Sequence, residues 1–345
     1  FDREALLGVS ITGWMNNPDI LFDEKILQKG AEIVKQVNKE MAAIIGINPA
    51  ARTTCVKPSG NASVLLQTAS GIHAEHSNMY IRNVQMNKES EITQAIMKTN
   101  PYMVEDSVWS AGGTDVVVSF PILPKKGSMY KDDLLGVKHL ELVKKAQKHW
   151  VEAGTNEDLC ADKGVRHNVS NTIIVDNWEE VEKYVFENRH SFAGISFLAM
   201  TGDKDYNQAP NTAVITAKDM VKKYGNAAVF ASGMVVDALK CFNNLWDACS
   251  TAKGFGEDLS LESSENAMKR DWIRRFGKFA DNYLKSDTVL AEHCLKDAYL
   301  LHKWNKIQST LKTVDWKEDI KERKYTDVDT LAAAACAGGA CEIDF

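Results

Sequence analysis

Strand and helix signals alternate through roughly the first two-thirds of this chain, and then the strand signal stops. Asp23 to Ile45 carries apolar residues at helical spacing (Ile26, Leu27, Ala31, Ile33, Val34, Val37, Met41, Ile44) and ends before Asn48-Pro49. Arg52 to Val56 reads as a short strand and Asn61 to Leu66 as the start of a helix. Tyr80 to Met86 is a strand by alternation, Glu89 to Met97 a helix, and Asp115 to Pro121 a buried strand. Lys131 to Ala153 reads as one long amphipathic helix, followed by a strand at Asn171 to Val175, a helix at Trp178 to Glu187 and a strand at Gly194 to Met200. Strands separated by helices of this length predict right-handed βαβ crossovers and a mainly parallel sheet or barrel. From about Ala217 the pattern is helical only (217–224, 226–251, 261–284, 288–306). No repeat or linker interrupts the chain, so the α/β and helical parts are expected to share one body.

Length and charge narrow the function classes. A chain of 345 residues with 44% hydrophobic content can bury one large core or two modest ones. A net charge of −6 argues against sequence-independent nucleic-acid binding, which needs a basic face. A local anion site built from backbone amides stays open. No apolar run approaches the ~18–20 residues of a bilayer span, so no membrane partner is expected. The start, Phe1-Asp2-Arg3-Glu4, lacks the apolar stretch of a signal peptide and begins mid-pattern, as in a fragment or a split or processed gene product. Seven scattered cysteines (55, 160, 241, 249, 294, 336, 341) fit a reducing, cytoplasmic setting better than a disulfide framework.

Four stretches carry chemistry. The first is Lys57-Pro58-Ser59-Gly60-Asn61-Ala62-Ser63, between a strand and an apolar helix. Small residues there leave backbone N–H groups pointing outward beside the Ser59 and Ser63 hydroxyls, a phosphate cradle without the Gly-Lys-Ser/Thr of a Walker loop. The plainer alternative is an ordinary helix capped by Asn61 or Ser63. The second is Gln67 to Ser77, where His73, Glu75 and His76 could suggest a metal, although no third ligand is identifiable and a polar cleft-lining loop fits better. The third comprises Arg166 to Thr172 and the strand Gly194 to Leu198 that empties into Asp203, Asp205, Tyr206, Asn207, Gln208, Ala209 and Pro210. Polar groups at the ends of parallel strands are where α/β folds place ligands. The fourth is the terminal Cys336-Ala-Gly-Gly-Ala-Cys341, whose glycines let the two sulfurs approach. On a tail too poor in apolar surface to dock, this is either a frayed end or an electron carrier. Cys55 beside the first loop is a candidate nucleophile without an identifiable base.

Together these segments resemble the adenosylcobalamin-dependent (class II) ribonucleoside-triphosphate reductases. The resemblance rests on the strand–Pro58-to-Ser63 loop, Ser70-Gly71-Ile72-His73 through Tyr80-Ile81-Arg82, Asn168-Val169-Ser170-Asn171-Thr172, Gly194 to Leu198, Tyr206 to Pro210 and the tail cysteines. It implies an α/β fold: the C-terminal half of a ten-stranded α/β barrel over 1–216, a helical C-terminal part over 217–325, and a flexible redox tail over 326–345. It further implies that Pro58, Ser59, Gly60, Asn61, Ala62 and Ser63 hold the substrate's phosphates. Adenosylcobalamin would be contacted within 170–231 and 290–329, with Asn168, Ser170, Ser196, Phe197, Tyr206 and Pro210 as candidates. Cys336 and Cys341 would re-reduce an active-site disulfide and be recharged by thioredoxin or a similar dithiol. The implied reaction is reduction of a ribonucleoside triphosphate: a cofactor-derived radical generates a cysteine thiyl, which takes the 3′-hydrogen while the 2′-hydroxyl leaves as water.

The chain departs from the family in lacking an Asn-x-Cys-x-Glu radical loop. A missing N-terminal part of the reductase is therefore an expected partner, and these residues alone are expected not to turn over. A large-subunit fragment of a di-iron reductase also ends in such a cysteine pair, but the Tyr-Tyr its radical relay needs is absent. No Asp-x-His-x-x-Gly occurs, so a bound cobalamin is expected to keep its own base. A non-catalytic nucleotide-binding or redox-carrier module is the remaining alternative.

Overall fold

A computed structural model describes residues 4–200, 206–254 and 264–316. Cys336, Cys341, Asp203 and Asp205 lie outside the described residues. In chain order the first elements are β1 (Ala5–Ser10), α1 (Pro18–Leu21), α2 (Glu24–Ile45), β2 (Ala50–Cys55) and α3 (Asn61–Leu65). Next come β3 (Tyr80–Asn87), α4 (Glu91–Thr99), β4 (Val104–Asp106), β5 (Asp115–Ile122), α5 (Gly136–Ala146) and β6 (Thr172–Val175). The chain continues through α6 (Trp178–Glu187), β7 (Ser196–Ala199), β8 (Asn211–Ala213), α7 (Ala217–Tyr224) and α8 (Ala227–Ala238). It closes with α9 (Leu245–Gly254), α10 (Ser264–Tyr283) and α11 (Thr288–Thr310). The fold is mixed α/β. Contacts group it into two compact units, Phe1–Asn78 with Leu123–Asp203, and Met79–Ile122 with Lys204–Phe345.

The first unit has the parallel pairing that the alternating pattern predicts. β1 lies parallel to β2, with Val9 opposite Thr54 and Ser10 opposite Cys55. A parallel bridge joins Val56 to Val169, and β6 then runs parallel to β7. The connection from β1 to β2 is α2, whose start is set by Asp23: its carboxylate accepts from the Ile26 N–H at 2.9 Å. The connection from β6 to β7 is α6, capped by Asn177, whose side-chain oxygen accepts from Glu179 and Glu180. Trp14, Met15, Leu27, Ile72, Leu140, Trp150, Val169 and Ile173 form the buried core of this unit.

The long helix expected over 131–153 is α5 followed by a π-helical stretch, Gln147–Glu152. Side-chain bonds accompany the change of winding: Thr54 donates to the Trp150 carbonyl at 2.6 Å, and Trp150 Nε1 donates to the Cys55 carbonyl at 3.0 Å. Trp150 is thereby pinned to β2 at both its carbonyl and its indole.

The second unit departs from the expectation of a mainly parallel sheet. Its strands run in the order β4-β5-β3-β8, all antiparallel, with β3 and β5 paired from Tyr80–Ile122 to Asn87–Asp115. The reason lies in the connection: the chain returns from β3 to β5 through α4 and the three-residue β4, which lies antiparallel on β5, so no crossover brings the strands parallel. β4 and β8, three residues each, carry too little pattern to stand out. The helix expected over 226–251 is two helices, α8 and α9. The chain turns at 239–244, where the Asn244 side chain accepts from the Asp247 N–H at 2.9 Å and starts α9. α7 to α11 pack around Trp272, Phe276, Phe279, Leu245 and Leu295. Among the described residues no helix is long and apolar enough to cross a membrane.

Candidate functional site

The loop from Lys57 to Gly60 leaves the end of β2 and enters α3 through Gly60, at φ 51° and ψ −127°. That backbone conformation lies outside what a side chain tolerates, so glycine is required at this corner. The cap position of α3 is Gly60, rather than Asn61 or Ser63, and it carries no side-chain cap bond. Ser63 is buried and donates its hydroxyl to the Gly60 carbonyl at 2.6 Å. Ser63 therefore holds the corner from inside, while Pro58 and Gly60 face solvent and Ser59 is half-buried.

Ser59 is fixed by two other turns. Its N–H donates to Ser70 Oγ at 2.9 Å, and its hydroxyl lies 2.7 Å from that of Thr12. Thr12 donates to the Ala69 carbonyl at 3.0 Å and accepts from the Gly71 N–H at 2.8 Å. Gly71, at φ +55°, brings the second turn against the first; a Cβ there would stand 3.0 Å from the Lys57 carbonyl oxygen. Beneath lies Asn16, buried, with every bonding position of its amide used. Its Nδ2 donates to Glu75 Oε1 at 2.8 Å and to Ser128 Oγ at 3.0 Å. Its Oδ1 accepts from Thr68 Oγ1 and from the Ala69 N–H, both at 2.7 Å. The outcome is a rigid hydroxyl-lined corner with the exposed Lys57 on its rim and the backbone of Gly60 facing outward. Such a corner can offer backbone amides and a cation to an anion.

Among the described residues no group of three or more His, Cys, Asp or Glu side chains gathers as a metal site would need. His73 Nδ1 lies 3.1 Å from the Ser70 carbonyl and His76 Nδ1 2.8 Å from Lys131 Nζ. Behind them His139 is buried, 2.9 Å from the Ile72 carbonyl, and burial lowers its pKa from 6.5 to about 4. Because the unfolded chain takes up this proton near pH 6.5 and the folded chain only near 4, stability falls as pH drops through that window. The loss attributable to His139 is expected to be about 3 kcal/mol. Urea unfolding at about pH 7 and about pH 4 should show a markedly smaller acid loss in His139→Gln than in the wild type.

Cys55 is half-buried, and burial pushes its thiol pKa up despite the nearby Lys57, so it is not a thiolate poised for attack.

The remaining candidates fall in both units. Asn168 and Ser170 flank the bridge beside the loop: the Val56 N–H donates to the Asn168 carbonyl at 3.1 Å and the Ser170 N–H to the Val56 carbonyl at 2.9 Å. Ser196 and Phe197 open β7, which is exposed along its length. Tyr206 and Pro210 belong to the second unit, where Tyr206 meets Trp109 edge-on at 6.0 Å and the Pro210 carbonyl accepts from the Asn83 N–H. Sequence reasoning missed Thr12 and Asn16. Asn16-Asn17-Pro18 is a visible turn signal, but nothing local names its partners.

A scan against protein-family models finds no match. A probable adenosylcobalamin-dependent ribonucleoside-triphosphate reductase of Dictyostelium discoideum is 28% identical over 123 residues, covering 36% of this chain and 16% of the relative. The adenosylcobalamin-dependent ribonucleoside-triphosphate reductase of Euglena gracilis is 23% identical over 218 residues, covering 61% of this chain and 28% of the relative. A solved B-12 dependent (class II) ribonucleotide reductase superposes with a TM-score of 0.48 at 18% identity, over 56% of this chain and 26% of that one. The chain thus spans only 16% and 28% of the lengths of these two curated relatives. At low identity and over part of its length, the chain is similar to adenosylcobalamin-dependent ribonucleoside-triphosphate reductases.

Proposed function

We propose that this chain is part of an adenosylcobalamin-dependent ribonucleotide reductase, contributing the second half of its ten-stranded α/β barrel and the loop that holds the substrate's phosphates. The observation that carries the reading is the Ser59 corner. Two separate turns fix its hydroxyl and N–H, and Ser63 locks the Gly60 carbonyl, so the backbone of the corner is set before an anion binds. A ribonucleoside triphosphate would lie with its phosphates over Pro58, Ser59, Gly60, Asn61, Ala62 and Ser63, oriented for reaction at the ribose.

The residues proposed to hold the cofactor fit a large, mostly apolar ring. β7 presents Phe197 and Leu198 at 40% and 56% exposure, an apolar edge that a macrocycle would cover. Asn168 and Ser170 supply hydrogen-bonding groups in the same unit. When bound, adenosylcobalamin supplies the one-electron chemistry that starts ribose reduction. This chain's own part is to bind and orient the two molecules. Cys336 and Cys341 are proposed to pass electrons from thioredoxin or a similar dithiol to cysteines on the N-terminal part of the reductase.

The test is the Ser59→Ala, Ser63→Ala double variant. Isothermal calorimetry with a ribonucleoside triphosphate should show affinity lowered at least about tenfold, since the two hydroxyls that hold the shape of the corner are lost, each bond being worth about 0.5–1.5 kcal/mol. An unchanged affinity in a folded double variant would sink the phosphate role.

A further inference from the structure

α2 is apolar on two faces, and among the described residues only one of them is buried. Leu27, Ala31 and Ala42 are buried, and Val34 packs half-buried against the same core. Polar contacts hold the helix in that pose: Gln28 Nε2 lies 3.0 Å from His149 Nδ1, and Glu24 Oε2 3.5 Å from His149 Nε2. At about 100° per residue, a second row made of Ile26, Ile33, Val37, Met41 and Ile44 lies roughly 90–150° round the helix from the buried one. These five are 50%, 54%, 51%, 49% and 75% exposed. Their row runs about 27 Å along the helix. Single apolar side chains are ordinary on a surface, but a continuous row on a fixed helix is a contact face.

The charges beside this row select what covers it. Lys29 stands near one end and Glu40 near the other, on the same flank, and both are exposed. Within one helix they are about 16 Å apart along the axis and cannot pair. Glu40 accepts from Gln36 at 2.7 Å, a neutral amide that leaves its charge uncompensated. A two-fold axis normal to a helix pair, at the level of Lys35, reverses the order of the row. Ile26 then faces Ile44 of the second copy, and Ile33 faces Val37. The same flanks meet, so Lys29 of each copy comes beside Glu40 of the other, twice. A parallel pair would set Lys29 against the opposite flank, where Val34 and Met41 stand. Charge complementarity therefore favours a second copy in the antiparallel register.

The area is sufficient as well. A specific interface needs about 1,000 Å² in total, or about 500 Å² from each side. Five large apolar side chains, each at least 49% exposed, supply about that much per copy. We propose that α2 is a self-association helix: two copies of this chain pair antiparallel through the Ile26-to-Ile44 row, with Lys29 of each beside Glu40 of the other. The inference uses one helix of the first unit and does not depend on the reductase reading.

Sedimentation equilibrium of the full chain should show a monomer–dimer equilibrium between about 1 and 100 μM. The Ile33→Glu, Val37→Glu double variant should stay monomeric across that range. Lys29→Glu and Glu40→Lys should each raise the dimer dissociation constant by about 2- to 30-fold, because each sets like charges together at two places. Combining the two charge reversals should bring it back near the wild-type value, which a loss of folding cannot do. Circular dichroism checks that the double glutamate variant keeps its helices; if it unfolds, the charge series decides alone. A full chain that is monomeric throughout overturns the proposal, as when another part of the chain or a different protein covers the row. So does a dimer indifferent to the two glutamates in a folded variant. A combined charge variant no tighter than the single reversals overturns the antiparallel pairing.

Discussion

Replacing Asn16 by alanine is expected to destabilise the chain by about 3–5 kcal/mol, because it strips four hydrogen bonds from a buried cluster that includes a carboxyl group. The Ala69 N–H and the Thr68 and Ser128 hydroxyls each lose a bond, and buried Glu75 loses its amide donor. Alanine cannot refill the space with polar groups. Asn16→Asp should fare no better, since it sets a second carboxylate against Glu75. The adjacent Asn17 is the control. It bonds Lys125 at the surface, and Asn17→Ala should stay within about 0.5 kcal/mol of wild type. Urea unfolding monitored by circular dichroism distinguishes these outcomes; equal effects of the two alanine substitutions would refute the role given to Asn16. The consequence reaches the proposed site. Thr68 and Ala69 lead directly into Ser70 and Gly71, which hold Ser59 and Thr12. Nucleotide affinity should therefore fall in Asn16→Ala even under conditions where most of the chain remains folded.

The comparable effect in the second unit is expected at Trp272. Its ring is fully buried among α8 to α11, edge-on to Phe242 at 5.5 Å and stacked on Phe276 at 5.7 Å. Its Nε1 donates to the Met234 carbonyl at 2.9 Å. Trp272→Ala removes the ring and leaves a cavity, a loss of about 3–5 kcal/mol. Trp272→Phe keeps an aromatic body and gives up the indole bond, so about 1–2 kcal/mol is expected. A Trp272→Phe variant as unstable as Trp272→Ala would mean that the hydrogen bond, not the packing, dominates. By contrast, Trp109→Ala removes a ring that is 62% exposed and should leave the unfolding midpoint in place.

These contrasts show which parts of the chain were open to reading. α2 and α6 were legible because everything that makes them is local: apolar residues at helical spacing, a side-chain cap at Asp23 or Asn177, and a stop in the next few residues. The direction in which β3 meets β5 was not. Both look like strands, and whether they run parallel depends on how the intervening 88–114 segment returns. That segment returns through α4 and the three-residue β4, lying antiparallel on β5. The single helix expected over 226–251 failed for a related reason. Its apolar content continues across 239–244, and only the turn before Asn244 breaks it.

The candidate site divides the same way. Strand, small-residue loop and short helix from Arg52 to Leu66 are contiguous, so the cradle could be proposed from spacing alone. The groups that make it rigid could not. Thr12 reaches Ser59 across 47 positions, and Asn16 reaches Ser128 across 112. Short polar residues of this kind occur throughout any chain, and only their buried, fully bonded arrangement distinguishes these.

By itself the sequence determined the alternation of strands and helices, the glycine corner before α3 and the resemblance to class II reductases. Each of these depends on residues close along the chain or on a motif's order. Tertiary structure alone decided the antiparallel sheet of the second unit and the clamp that holds Ser59. It also brought Trp109 to Tyr206 across nearly a hundred residues, where the Trp109 indole bonds the carbonyl of Asn207, 98 positions away. A hydrogen bond or ring contact between distant positions has no local signature, because its free energy depends on burial and distance, which exist only once the chain has folded.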